Sequence, residues 1–294
     1  MLIALAMLGG GVVAGVFGSL LGLGGGILIV PFLSLGFGLP VREAVGVSLV
    51  CVIVTSGASA AVYLDRRVAN LRLGMVLELF TASGAVIGGA IAFLIDEQLL
   101  AGLFTLLLLY TIVTMLRRPA SAPAPEPTTL PESGPSAATG PAAPAPAAPI
   151  ASASGTFPAF IAALSGPGYA VRNLRLGTVG AVFAGVMSAL LGIGGGLVKV
   201  PLMHLFMNVP LRVATATSNL MVGITASTSA IVYLLRGGID PLVAGPTALG
   251  VFVGAAIGSR AAHRIDLRVL RLLFVVVLAY TAFEMAQRAL GAGQ

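Results

Sequence analysis

Apolar runs of roughly span length, separated by short polar or basic clusters, recur along this chain. A bilayer-crossing helix needs roughly 20 such residues. The pattern predicts six uninterrupted spans, over Ala44–Leu64, Leu73–Ile95, Leu99–Leu116, Val213–Leu235, Leu242–Ala262 and Val269–Ala286. Two more segments, Leu2–Gly38 and Leu176–Asn208, are as apolar but broken, the first by GLGGGILIVP and the second by GIGGGLVKVP. The alternation over about ten residues that marks a membrane β-strand is not seen.

The pattern occurs twice. Shifting the chain by 170 residues aligns Gly15–Thr111 with Gly185–Thr281 without a gap, and about 35 of the 97 positions are identical. The matches include Gly24, Gly25, Gly26 and Pro31 with Gly194, Gly195, Gly196 and Pro201. Ser48/Ser218, Thr55/Thr225, Tyr63/Tyr233, Gly84/Gly254, Gly88/Gly258 and Asp96/Asp266 follow in the same register. Shared apolar composition would scatter Leu and Ala matches instead. Residues 1–118 and 156–294 are therefore read as two membrane repeats. Between them, 119–155 holds ten of the 18 prolines and reads as a semi-extended linker.

Composition agrees: 57% of residues are apolar and 9% charged, against about a quarter charged in soluble domains. The net charge of +6 comes from arginines at the ends of apolar runs, which reads as orientation signal and not as a nucleic-acid surface. Arg42 is the first charge, so the N-terminus does not read as a cleaved signal peptide. Cys51, the lone cysteine, reads as a core residue.

The arginines also bear on topology. If the broken segments cross, Arg212, Arg260, Arg264 and Arg268 fall outside with only Asp266 beside them. If each enters and returns on one face, both arginine clusters lie inside, as the positive-inside rule prefers. The expected fold is thus an all-α polytopic membrane protein of two inverted repeats. Each repeat has a Gly-broken re-entrant segment plus three transmembrane helices. The expected setting is a bacterial cytoplasmic membrane, with the linker on the cytoplasmic side.

Irregular backbone at membrane depth is tolerated where it is buried in protein or lines a wet cavity. The expected form is a glycine loop, an extended run through Ile27, Ile29 and Val30, and a new helix with Pro31 in its first turn. Free amides at Gly24, Gly25, Gly26, Gly194, Gly195 and Gly196 would suit an anion. Close helix packing competes as a reading of the glycines. Lys199 stands opposite Ile29 in the repeat, and a mid-bilayer lysine costs roughly 2.5–3.5 kcal/mol. Its expected counter-charge is an anionic substrate, with Glu78 as the rival partner or a coupling group. Ser48, Ser218 and Asn219 are candidate hydrogen-bond donors, although helical hydroxyls also bond their own backbone. No nucleotide loop, metal-ligand spacing or nucleophile–base set appears, so neither cofactor nor metal is expected. Neither is catalysis.

The paired G-x-G-G-G-x-x-x-V-P motifs (Gly22–Pro31, Gly192–Pro201) are each followed by Pro-x-x-x-Ala (Pro40–Ala44, Pro210–Ala214). Together they resemble the sulfite exporter TauE/SafE family, over both halves. The resemblance implies a secondary transporter for sulfur-containing anions such as sulfite or organosulfonates. A passive anion channel and a transporter of another organic anion remain alternatives. The partners expected are the small anion and the bilayer.

Overall fold

A computed structural model describes residues 2–21, 26–65, 69–117, 164–165, 169–261 and 267–290. Gly24, Gly25 and the linker lie outside the described residues. The first half builds α1 (Leu2–Leu21), α2 (Gly26–Phe37), α3 (Val41–Asp65), α4 (Leu71–Ala92) and α5 (Glu97–Arg117). The second builds α6 (Leu174–Leu191), α7 (Gly196–Pro201), a π turn (Leu202–Phe206), α8 (Leu211–Leu235), α9 (Pro241–Ala261) and α10 (Leu267–Ala289). Six of these helices are long and apolar enough to cross a membrane: α4, α5, α6, α8, α9 and α10. Large apolar side chains such as Leu79, Val179 and Phe283 point outward from them. An apolar exterior on apolar helices is what lipid solvates, and the chain is a multi-pass integral membrane protein.

Local sequence sets the ends. The Asn70 side chain accepts from the Leu73 amide at 3.1 Å and starts α4. Arg42 donates to the Ala92 and Ile95 carbonyls at 2.9 and 2.8 Å, satisfying acceptors that the end of α4 leaves open. Glu97, at the start of α5, takes the Val41 amide at 2.6 Å.

The broken segments differ from expectation. Ile27, Ile29 and Val30 are helical, not extended, and Pro31 lies inside α2 instead of in its first turn. The run is almost fully buried. With no water to bond extended backbone there, the helix satisfies its polar groups internally. Pro201 ends α7, and the ladder continues as the π turn. Proline lacks an N–H and crowds the carbonyl four residues back, so a wider turn relieves it.

Each broken segment doubles back. Arg172, before α6, donates its amide to Met207 beyond the π turn at 3.1 Å, and Asn173 Nδ2 reaches the Phe206 carbonyl at 3.2 Å. The Phe32 ring of α2 covers Gly10 of α1 in the same way.

The halves interlock through glycine. A Cβ on Gly84 of α4 would stand 2.1 Å from the Val182 carbonyl of α6. One on Gly254 of α9 would stand 2.1 Å from the Val12 carbonyl of α1. The second pair is the first displaced by 170 residues. Each half thus lays its leading helix along the other half's fourth, backbone to backbone, as small residues allow in lipid. At the centre α3 and α8 cross antiparallel, with Gly46 against Gly238 and Ser56 against Gly223. Cys51 is buried there, and the Tyr233 hydroxyl reaches the Ala189 carbonyl at 2.9 Å.

Candidate functional site

The start of α2 and the turn after α6 meet beside the α3–α8 crossing. Ser48 of α3 donates to the carbonyls of Gly26, at 3.2 Å, and Gly192, at 2.8 Å. A Cβ on Gly26 would sit 2.7 Å from the Gly192 oxygen, so the two backbones approach as only glycine permits. Gly192, Gly194 and Gly195 take φ of 67°, 71° and 76°, the left-handed region that folds the second turn tightly. Gly194 lies between Val52 and Val222, themselves a repeat pair.

Around this turn the second half is polar. Lys199 on α7 is 1% exposed, and its Nζ lies 3.1 Å from Glu78 Oε2 of α4, itself 5% exposed. The buried Thr225 hydroxyl of α8 donates to Glu78 Oε1 at 2.6 Å and accepts from Lys199. A lysine deep among apolar helices requires a counter-charge. In this structure that counter-charge is Glu78, where the sequence favoured a bound anion.

Two hydroxyls complete the surroundings. Ser188 and Ser218 are fully buried, and their Oγ atoms have no hydrogen-bond partner among the described residues. A Cβ on Gly195 would fall 3.3 Å from Ser188 Cβ and 3.5 Å from Lys199 Cε. One on Gly196 would fall 3.7 Å from Ser218 Oγ. The hydroxyls therefore flank two consecutive glycines, with the Lys199 chain alongside. An unpaired buried hydroxyl costs about 1–3 kcal/mol.

The structure gathers Gly194, Gly195, Gly196, Lys199 and Ser218 around one turn, with Glu78 bound to Lys199. Asn219 follows Ser218 on α8 and is half-buried. Gly26 belongs to the contact between the start of α2 and the end of α6. Ser48 spends its single proton on backbone carbonyls, so its hydroxyl fastens the start of α2 to the end of α6 and has none left for an anion. Thr217 likewise serves the scaffold, accepting from the Asn70 amide at 2.9 Å. Sequence reasoning missed Ser188 and the part of Thr225. The signal available was the repeat, which pairs Ser188 with Gly18 just as it pairs Lys199 with Ile29.

Helices that double back inside an apolar bundle, meeting at a buried polar turn, define a membrane transport protein. A family model described as Sulfite exporter TauE/SafE matches residues 7–285, and the chain belongs to that family of membrane transporters. It is similar to the probable membrane transporter protein YunE of Bacillus subtilis (strain 168), 25% identical over 276 residues that cover 91% of this chain and 92% of the relative. It is also similar to the probable membrane transporter protein MamO of Magnetospirillum gryphiswaldense, 29% identical over 109 residues, 34% of this chain and 17% of that protein. No solved structure matches the chain.

Proposed function

We propose that the protein is a secondary transporter that moves sulfur-containing anions, such as sulfite or organosulfonates, across a bacterial cytoplasmic membrane by alternating access. The observation that carries the reading is the pair of unpartnered buried hydroxyls, Ser188 and Ser218, beside the glycine turn and the Lys199 ammonium. A tetrahedral oxyanion offers several acceptors at once, and hydroxyls, turn amides and an ammonium are the donors it needs. Gly194, Gly195, Gly196, Lys199, Ser188, Ser218 and Asn219 would form the site, with Ser48 and Gly26 bracing it. The family description supports the sulfur chemistry.

The halves are read as inverted repeats joined by a cytoplasmic linker. This is supported by the antiparallel crossing of α3 and α8, and by Gly102 of α5 lying beside Ala289 of α10, start against end. Substrate sites between such halves, at interrupted helices, allow rocking to open each side in turn. The chemistry invoked is binding and release, with no bond made or broken.

Uptake into proteoliposomes of sulfite, sulfate, sulfoacetate, methanesulfonate, taurine and acetate tests the reading. Saturable uptake of a sulfur oxyanion is expected. Flux that never saturates identifies a channel, and uptake confined to acetate replaces the substrate class.

A further inference from the structure

We propose that Glu78 is the proton-coupling carboxylate of the transport cycle. Protonation of Glu78 frees the Lys199 ammonium to hold the anion, so one proton travels with each monovalent anion. The inference rests on the anion-transport reading and adds to it the coupling ion and the residue that carries it.

The internal repeat supplies the argument. The positions equivalent to Lys199 and Glu78 in the other half are Ile29 and Ala248, both almost fully buried. The residue equivalent to Thr225 is Thr55, which donates within its own helix, to Cys51 and Val52 carbonyls at 3.1 Å. The same architecture is therefore built once with isoleucine and alanine and once with an ion pair. Packing does not require the charges, and apolar replacements of buried pairs are commonly as stable or more so. Intramembrane ionisable residues are retained for what they carry.

The pair also sits where coupling needs it. Glu78 belongs to the first half and Lys199 to the returning arm of the second, beside the left-handed turn Gly192–Gly195. Lysine has three donors, and Glu78 and Thr225 take two of them. A Cβ on Gly195 would fall 3.3 Å from Ser188 Cβ and 3.5 Å from Lys199 Cε, so an anion held at the Ser188 hydroxyl lies beside the Lys199 chain.

Charge then balances in both states. Without anion, carboxylate and ammonium neutralise each other. With anion, the proton resides on Glu78 Oε2, the oxygen that Lys199 leaves, while Thr225 keeps its bond to Oε1. The ammonium is neutralised by the anion. Neither state strands a net charge in the bundle, which would be costly. On the elements packed against Glu78, the other charged or titratable groups are Arg72 of α4, Arg175 of α6, Arg212 and Tyr233 of α8 and His204 of the π turn. Among the described residues only Lys199 forms an ion pair with Glu78.

The test uses the full chain in proteoliposomes enclosing a pH-reporting dye, with methanesulfonate, a monovalent anion that does not titrate near neutrality. Uptake is expected to carry one proton per anion and to be unchanged when the membrane potential is clamped at different values. Anion affinity should improve about tenfold per pH unit of acidification where Glu78 is ionised, the slope of a single linked proton. In Glu78→Gln that slope and the proton flux should vanish while the anion still binds. Wild-type uptake without protons, or driven by membrane potential, overturns the proposal whatever the variant does, so a misfolded variant cannot shield it. A retained pH slope in Glu78→Gln overturns it too. If no anion of the panel enters, the transport reading itself fails, and the coupling falls with it.

Discussion

Lys199 Nζ and Glu78 Oε2 are 3.1 Å apart, 121 residues apart in sequence, and both almost fully buried. This ion pair joins the two halves of the protein. Removing one partner strands the other charge, which costs about 3–5 kcal/mol, whereas removing both can be neutral. Lys199→Met and Glu78→Gln should each lower the unfolding temperature in detergent, and the double variant should recover most of the loss. Simple addition of the two single effects would show that the groups do not interact.

Ser188 and Ser218 separate binding from folding. Their hydroxyls bond nothing among the described residues, so Ser188→Ala and Ser218→Ala should leave unfolding temperatures unchanged or raise them. Loss of a hydrogen bond to a charged guest is worth about 1.5–3 kcal/mol, so anion affinity should fall roughly tenfold or more in each. Calorimetric titration with sulfite and methanesulfonate measures this. Unaltered affinity in both variants would remove these residues from the site.

Glycine packing sets a third expectation. A Cβ on Gly185 would stand 2.0 Å from the Thr81 carbonyl, a backbone atom that cannot swing aside. Gly185→Ala should force α4 and α6 apart at a cost of about 1–3 kcal/mol. Gly57 of α3 has nothing within 4 Å of its Cβ position, so Gly57→Ala should be tolerated. Equal behaviour of the two in thermal unfolding would contradict the close helix contact.

The duplication, five of the six predicted spans and the two breaks were legible in the sequence because each is a local pattern. The sixth span-length helix is α6, expected as part of a re-entrant segment, in place of Ala44–Leu64. Helix limits followed within a few residues, as with Val213–Leu235 against Leu211–Leu235. The conformation of Ile27–Val30 was not legible, because β-branched residues favour strands in water while a dry interior favours internally bonded helix. The glycine matches showed repetition but not that Gly84 and Gly254 seat the other half's leading helix, since periodicity does not name a partner. Glu78 could be named as a rival partner for Lys199, being the carboxylate well inside a predicted span. The choice between it and a bound anion needed distances. Ser188 was passed over because one hydroxyl in an apolar helix ordinarily bonds its own backbone.

The central claim is that an anion is held beside Lys199 while the protein carries it across. The double variant Lys199→Met/Glu78→Gln tests this most directly, because it removes the charge without stranding its partner. Initial rates of sulfite and methanesulfonate uptake into proteoliposomes should fall about a hundredfold or more while the protein remains folded. Uptake at the wild-type rate by that folded variant would contradict the account.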